Sequence, residues 1–181
     1  MATSYTVPDK GWATEPIERT EVLWIVIAAS WCLFMFGWMI AWHWIGNQNM
    51  ASEAYRVDPE AYAKKVEDFT AKYTVRMDAN DPDLPVVAPP PGSDVYLAAS
   101  RWQWRPVIEL QKGQSYRIHI SSLDWDHGFS LLPENINFQA YPGYEQVITM
   151  TPNKSGTFAI VCNEYCGVGH HAMLGRVYVK E

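Results

Sequence analysis

The sequence predicts a mainly β protein, a small antiparallel sandwich or Greek-key barrel, joined to one N-terminal transmembrane helix. Three observations predict it. Val22 to Ile45 is an apolar run without Asp, Glu, Lys or Arg. As a helix it is long enough to cross a hydrocarbon core of about 30 Å. From Asp94 onward the chain breaks into short β-type runs bounded by Gly, Pro, Asn or Asp, which amount to about eight strands. Between the two lies a polar stretch punctuated by prolines.

Bulk properties narrow the class. The 181 residues suit one domain with accessories, and 48% hydrophobic content supplies a packed core. The net charge of −6 is spread along the chain, and residues 94–181 hold eight acids against seven bases. No basic block points to nucleic acid. Three cysteines do not make a disulfide framework. Cys32 reads as a small buried residue inside the apolar run.

Residues 1–21 form an N-terminal segment, and 22–45 the transmembrane anchor. Trp24, Trp42 and Trp44 lie near its ends, where amphipathic rings favour the membrane interface. His43 reads as an interfacial side chain. The run is longer than a signal-peptide core, and Glu18-Arg-Thr-Glu21 before it is not a basic leader. The flanking Lys and Arg are too evenly placed to set orientation. Residues 46–93 read as a linker with a short amphipathic helix. Asp58-Pro59 supplies an N-cap and a first-turn proline. Tyr62, Val66, Phe69 and Tyr73 then recur on one helical face. Asp78–Asp83 and Pro89-Pro-Pro-Gly92 end regular structure, which puts the boundary near Ser93. The β runs of 94–181 include Val95–Ser100, Ser115–Ser121, Gln146–Thr151, Gly156–Val161 and Gly175–Val179. His119 alternates within one of them and reads as structural.

The chemistry concentrates in Cys162-Asn-Glu-Tyr-Cys166-Gly-Val-Gly-His170-His-Ala-Met173. A thiolate, an imidazole and a thioether on one loop are soft or borderline donors and suit copper. His127 can add a second imidazole. A mononuclear site needs only one thiolate, whereas Cys162 beside Cys166 can bridge two metals. Three plainer readings stand beside this one. A Cys162–Cys166 disulfide leaves the histidines and Met173 unexplained. A structural zinc site leaves Met173 idle and lacks finger-like spacing. The third is an ordinary turn rich in small residues.

The loop CNEYCGVGHHAM resembles the copper loop of cytochrome c oxidase subunit II. The resemblance extends to DHGFSLLPENINFQAYPG around His127, to the tryptophan segment Arg101-Trp-Gln-Trp-Arg105, to the closing GRVYVKE and to the anchor. Tyr55-Arg-Val-Asp-Pro59 and the lone anchor resemble the branch with a short, single-span subunit. The loop is highly specific; the anchor is not. The resemblance implies a cupredoxin-like Greek-key barrel over 94–181 and a binuclear centre of two copper ions. In it Cys162 and Cys166 bridge both ions. His170 and the main-chain carbonyl of Glu164 complete one copper, and His127 with Met173 the other. His171 neighbours His170, but the Cys-x-x-x-His spacing and the family pattern favour His170. The Glu164 side chain has two readings: a ligand to magnesium at the interface with subunit I, or no metal role. Trp102 and Trp104 have two as well: one of them receives electrons from the donor, or both simply share a strand face.

The implied function is the electron-accepting subunit of a membrane heme–copper terminal oxidase. It relays electrons from cytochrome c or a small copper protein to heme in subunit I, where oxygen is reduced. Heme resides only in that partner, because this chain has no Cys-x-x-Cys-His and too few spans. It holds no catalytic residue of its own. The implied location is the plasma membrane, single-pass, with the copper domain on the periplasmic or outer face. Alternatives are the copper subunit of a nitric oxide reductase, whose difference lies in the partner, and a free-standing anchored copper carrier.

Overall fold

The computed structural model describes Gly11 and residues 14–46 and 53–181. Most of the expected N-terminal segment 1–21 lies outside the described residues. The chain divides into two compact units, Met1–Asn47 and Gln48–Glu181.

The first unit is built on α1, Arg19–Ile45, with 27 residues. That length corresponds to roughly 40 Å of helix. The Glu21 carboxylate accepts a hydrogen bond from the Glu18 backbone N–H at 2.9 Å and closes the first turn. The helix is apolar on all sides, has a mean hydropathy of 2.0 over an 18-residue window and contains no buried residue. Such a helix finds its solvent in lipid or in a partner. Cys32, expected to be buried, is exposed on it, because none of the described residues of its unit covers the helix. His43 stands edge-on to Trp44 with ring centres 5.6 Å apart.

The second unit holds twelve strands among the described residues, in two sheets. The strands are β1 Glu53–Arg56, β2 Thr74–Met77, β3 Pro85–Val87, β4 Asp94–Ser100, β5 Gln103–Arg105 and β6 Val107–Gln111. They continue with β7 Tyr116–Ser122, β8 His127–Leu131, β9 Ile136–Ala140, β10 Tyr144–Met150, β11 Gly156–Val161 and β12 Leu174–Lys180. One sheet runs β1-β10-β7-β4-β5 and the other β2-β3-β6-β12-β11-β8-β9. The expected antiparallel pattern is modified. β4 pairs with β7, β3 with β6 and β6 with β12 in parallel, since these neighbours are reached by crossovers and not by hairpins. Alternation sets the inward faces: in β12, Gly175, Val177 and Val179 are buried between more exposed neighbours. The core joins both sheets through residues such as Leu97, Trp104, Ile120, Phe129 and Val177. Fully burying side chains of this size stabilises by about 1.5–3 kcal/mol each.

Residues 46–93, expected as a connector, contribute three strands and α2, Pro59–Tyr73, to this same unit. The Asp58 carboxylate caps α2 by accepting from Glu60 N–H and Ala61 N–H at 3.0 and 3.1 Å. Tyr62, Val66 and Phe69 form its buried stripe. The Tyr62 hydroxyl reaches the carbonyls of Leu97 and His119 at 3.0 and 2.9 Å, and Lys65 pairs with Glu145 at 3.2 Å. The stripe therefore has its partner inside the chain. His119 is buried between Asp94 and Glu145 and stacks on Tyr96, in keeping with a structural role.

Candidate metal centre

The candidate metal-binding residues come from one hairpin and one neighbouring strand. β11 and β12 are antiparallel partners, with Val161 opposite Leu174, so residues 162–173 are the loop that joins them. Cys162 N–H donates to the Met173 carbonyl at 3.2 Å and closes the loop's base. Its far side folds as a short 3-10 turn, His170–Ala172. β8 lies on the other side of β11 and starts with His127. Gly128 next to it lets the loop approach. A Cβ there would lie 2.7 Å from Glu164 N and 3.0 Å from Asn163 N, both backbone atoms.

The donors form a row. His127 Nδ1 lies 3.9 Å from Cys162 Sγ, which lies 3.7 Å from Cys166 Sγ, which lies 3.7 Å from His170 Nδ1. Met173 Sδ is 3.8 Å from Cys166 Sγ, and the Glu164 carbonyl is 3.3 Å from Cys162 Sγ. Two ligands held about 2.0–2.3 Å from a tetrahedral ion are themselves about 3.3–3.8 Å apart. The two 3.7 Å steps fall within that range, and the 3.9 Å step from His127 lies just outside it. His127, Cys162 and Cys166 bring their donor atoms within 4.8 Å of one another, all three buried. Both cysteines are free. The donor set fits copper by softness, with buried Met173 supplying the thioether. Glu164 and His171 are exposed.

Electrostatics oppose an empty dithiolate. Burial pushes the Cys166 thiol up to about 11, and the hydrogen bond and charge of Cys162 act in the same direction. Metal bound to both sulfurs must displace those protons. His127 is set for ligation from outside the loop. Its Nε2 is 3.0 Å from Asp124 Oδ1, which leaves Nδ1 facing Cys162. Burial works to raise the Asp124 carboxyl. Hydrogen bonds from His127 and from the Arg101 backbone and side chain outweigh it and hold the group below the ordinary carboxylate range.

The two tryptophans have different surroundings. Trp102 is 42% exposed. Its indole N–H donates to the Cys166 carbonyl at 3.2 Å. Its ring lies against Gly169, where a Cβ would come within 2.3 Å of it. Trp104 is buried, edge-on to Phe129 at 5.4 Å and to His127 at 6.2 Å. Its indole N–H has no hydrogen-bond partner among the described residues. The readings of the sequence did not single out Asp124, Arg101 or Gly128. For Asp124 a signal existed, a carboxylate three residues before the candidate ligand His127.

The family description "Cytochrome C oxidase subunit II, periplasmic domain" matches residues 102–179. The cytochrome c oxidase subunit 2 of Thermus thermophilus is 31% identical over 177 residues, covering 96% of this chain and 99% of that protein. A chain of a heme–copper terminal oxidase dimer superposes with a TM-score of 0.57 at 24% identity, covering 90% of this chain and 100% of that one. A rusticyanin variant gives 0.54 at 16% identity, covering 72% and 100%; both likenesses bear on the fold, which is cupredoxin-like. With the near end-to-end match to an oxidase subunit beside a copper-compatible His/Cys/Cys cluster, the chain belongs to the cytochrome c oxidase subunit II family, the electron-accepting subunit of heme–copper oxidases.

Proposed function

We propose that this subunit accepts electrons one at a time from a cytochrome c or a small copper protein. It relays them through a two-copper centre to heme in subunit I, where oxygen is reduced. The observation that carries the reading is the row His127–Cys162–Cys166–His170, with two sulfurs 3.7 Å apart in its middle. One sulfur would serve one ion; two in the centre of the row serve a pair. Copper bound there supplies one-electron storage with little change of geometry.

The residues divide the work. Cys162 and Cys166 would hold both ions. His170 and the Glu164 carbonyl would complete one, and His127 with Met173 the other. The buried surroundings exclude water and keep the ligands fixed. Trp102, half-exposed and bonded to the Cys166 carbonyl, is the side chain suited to receive electrons from the donor; Trp104 packs the interior behind His127. The exposed Glu164 carboxylate is free to share a magnesium ion with subunit I. The apolar helix α1 anchors the chain in the plasma membrane, with the copper domain on the periplasmic or outer face.

Electron paramagnetic resonance on the copper-loaded full chain in detergent tests this. We expect the hyperfine pattern of one electron shared by two copper nuclei, and its loss in Cys162→Ser. A single-nucleus pattern, or an unchanged spectrum in Cys162→Ser, overturns the binuclear reading.

A further inference from the structure

We infer that Arg101 is a positioning residue that fixes the His127 side of the metal centre and couples it to the tryptophan surface; this rests on the copper reading above. The Arg101 backbone N–H donates to Asp124 Oδ2 at 2.9 Å, and its Nε donates to the same oxygen at 3.3 Å. The other oxygen, Oδ1, faces His127 Nε2 at 3.0 Å. The opposite ring nitrogen faces Cys162 Sγ at 3.9 Å. An unbroken line of polar contacts therefore runs from Arg101 through Asp124 and His127 to a bridging sulfur.

A carboxylate held by one donor can swing about its bond to the chain. Two donors on Oδ2 stop that motion and leave Oδ1 aimed at the ring. The imidazole then carries its proton on Nε2 and presents the Nδ1 lone pair to the metal, as an outer-shell carboxylate does for a ligand histidine. Arg101 also lies over the ring of exposed Trp125, 5.7 Å from its centre. A planar guanidinium can stack and donate at once; an ammonium cannot match that geometry. The next residue, Trp102, holds the Cys166 carbonyl. Two consecutive residues thus grip the two halves of the centre, one through Asp124 and His127, the other through the loop. Arg101 is half exposed, with 49% of its side chain open to solvent, and shares its surface with both indoles. Contact made there by a donor is felt at His127.

The test uses the full chain in detergent as wild type, Arg101→Met, Arg101→Lys, Asp124→Asn and the Arg101→Met/Asp124→Asn pair. In the Arg101 variants that keep Asp124 the backbone N–H at position 101 still donates to its carboxylate, so the turn keeps one anchor. Two readouts are taken: the ring nitrogen signals of His127 by nuclear magnetic resonance without metal, and copper affinity with the thiolate–copper absorption spectrum. We expect a single Nε2-protonated ring in wild type and mixed tautomers in Arg101→Met. Copper affinity should fall on the order of tenfold in Arg101→Met, with a shifted absorption band and partial recovery in Arg101→Lys. Adding Arg101→Met to Asp124→Asn should cost nothing further, because Arg101 acts through Asp124. A His127 signal unchanged in Arg101→Met, or a pair whose losses simply add, overturns the inference. If wild type takes up no copper, the copper reading fails, and the metal-free imidazole signals still decide the role of Arg101.

Discussion

Gly128→Ala tests whether the metal centre depends on close approach between β8 and the loop. A Cβ at this position meets Asn163 Oδ1 at 2.0 Å, Asn163 N at 3.0 Å and Glu164 N at 2.7 Å. The amide oxygen can rotate away, but the two nitrogens belong to the backbone. Restoring Glu164 N to an ordinary contact of 3.4 Å requires the loop or the strand to give by about 0.7 Å. That shift falls between His127 and Cys162, whose donors stand 3.9 Å apart. Overpacking of this kind costs about 1–3 kcal/mol. If copper must draw the loop back, the same energy appears as roughly five- to 150-fold weaker binding. Copper titration of the full chain, followed by thiolate–copper absorption, reads the affinity. Thermal unfolding of the metal-free protein reads the stability. A variant with wild-type copper affinity and unfolding temperature would refute the argument that this glycine is required by the loop.

Two further outcomes are expected. The Asp124 carboxyl is held below its ordinary range, against the pull of burial, by His127 and Arg101. A group lowered in this way contributes stability that is present above its unfolded pKa of about 4 and is lost as pH falls through its folded pKa. Denaturant unfolding as a function of pH should show a shallower acid limb in Asp124→Asn; parallel limbs for the two proteins would contradict the assignment. Tyr62→Phe removes the hydroxyl that reaches the Leu97 and His119 carbonyls and should lower stability by about 1–2 kcal/mol. A change within error in urea unfolding would mean that α2 is held by its apolar stripe alone.

The loop and the strands were legible in the sequence for different reasons. Cys162, Cys166, His170 and Met173 are close in sequence, and their types alone point to a soft metal. His127 stands more than thirty residues away; donor chemistry offered it as a second imidazole, but nothing in the spacing placed it beside the loop, and pairing of β8 with β11 supplies the physical link. The segment 46–93 was harder to read. Its strands β1, β2 and β3 have three or four residues each, too short for an alternation to emerge from a proline-rich background. The helical stripe of α2 was legible, but a period cannot name the surface it meets. The difference between Trp102 and Trp104 was also out of reach. They stand at alternate positions, yet Trp102 lies outside β5 and Trp104 within it, so a shared strand face does not apply.

Parallel pairing of β6 with β12 constrains the order in which the centre can be assembled. β12 follows His127, Cys162, Cys166, His170 and Met173 in the chain, and it lies between β6 and β11. During synthesis β11 therefore has no second neighbour, and the ligand loop no closed base, until β12 has emerged. Through that interval the two cysteines stand in an unfinished sheet, open to oxidants and to stray metal. A site whose base closes last is complete only once the whole barrel has folded, so metal held by the full ligand set would have to enter a finished domain.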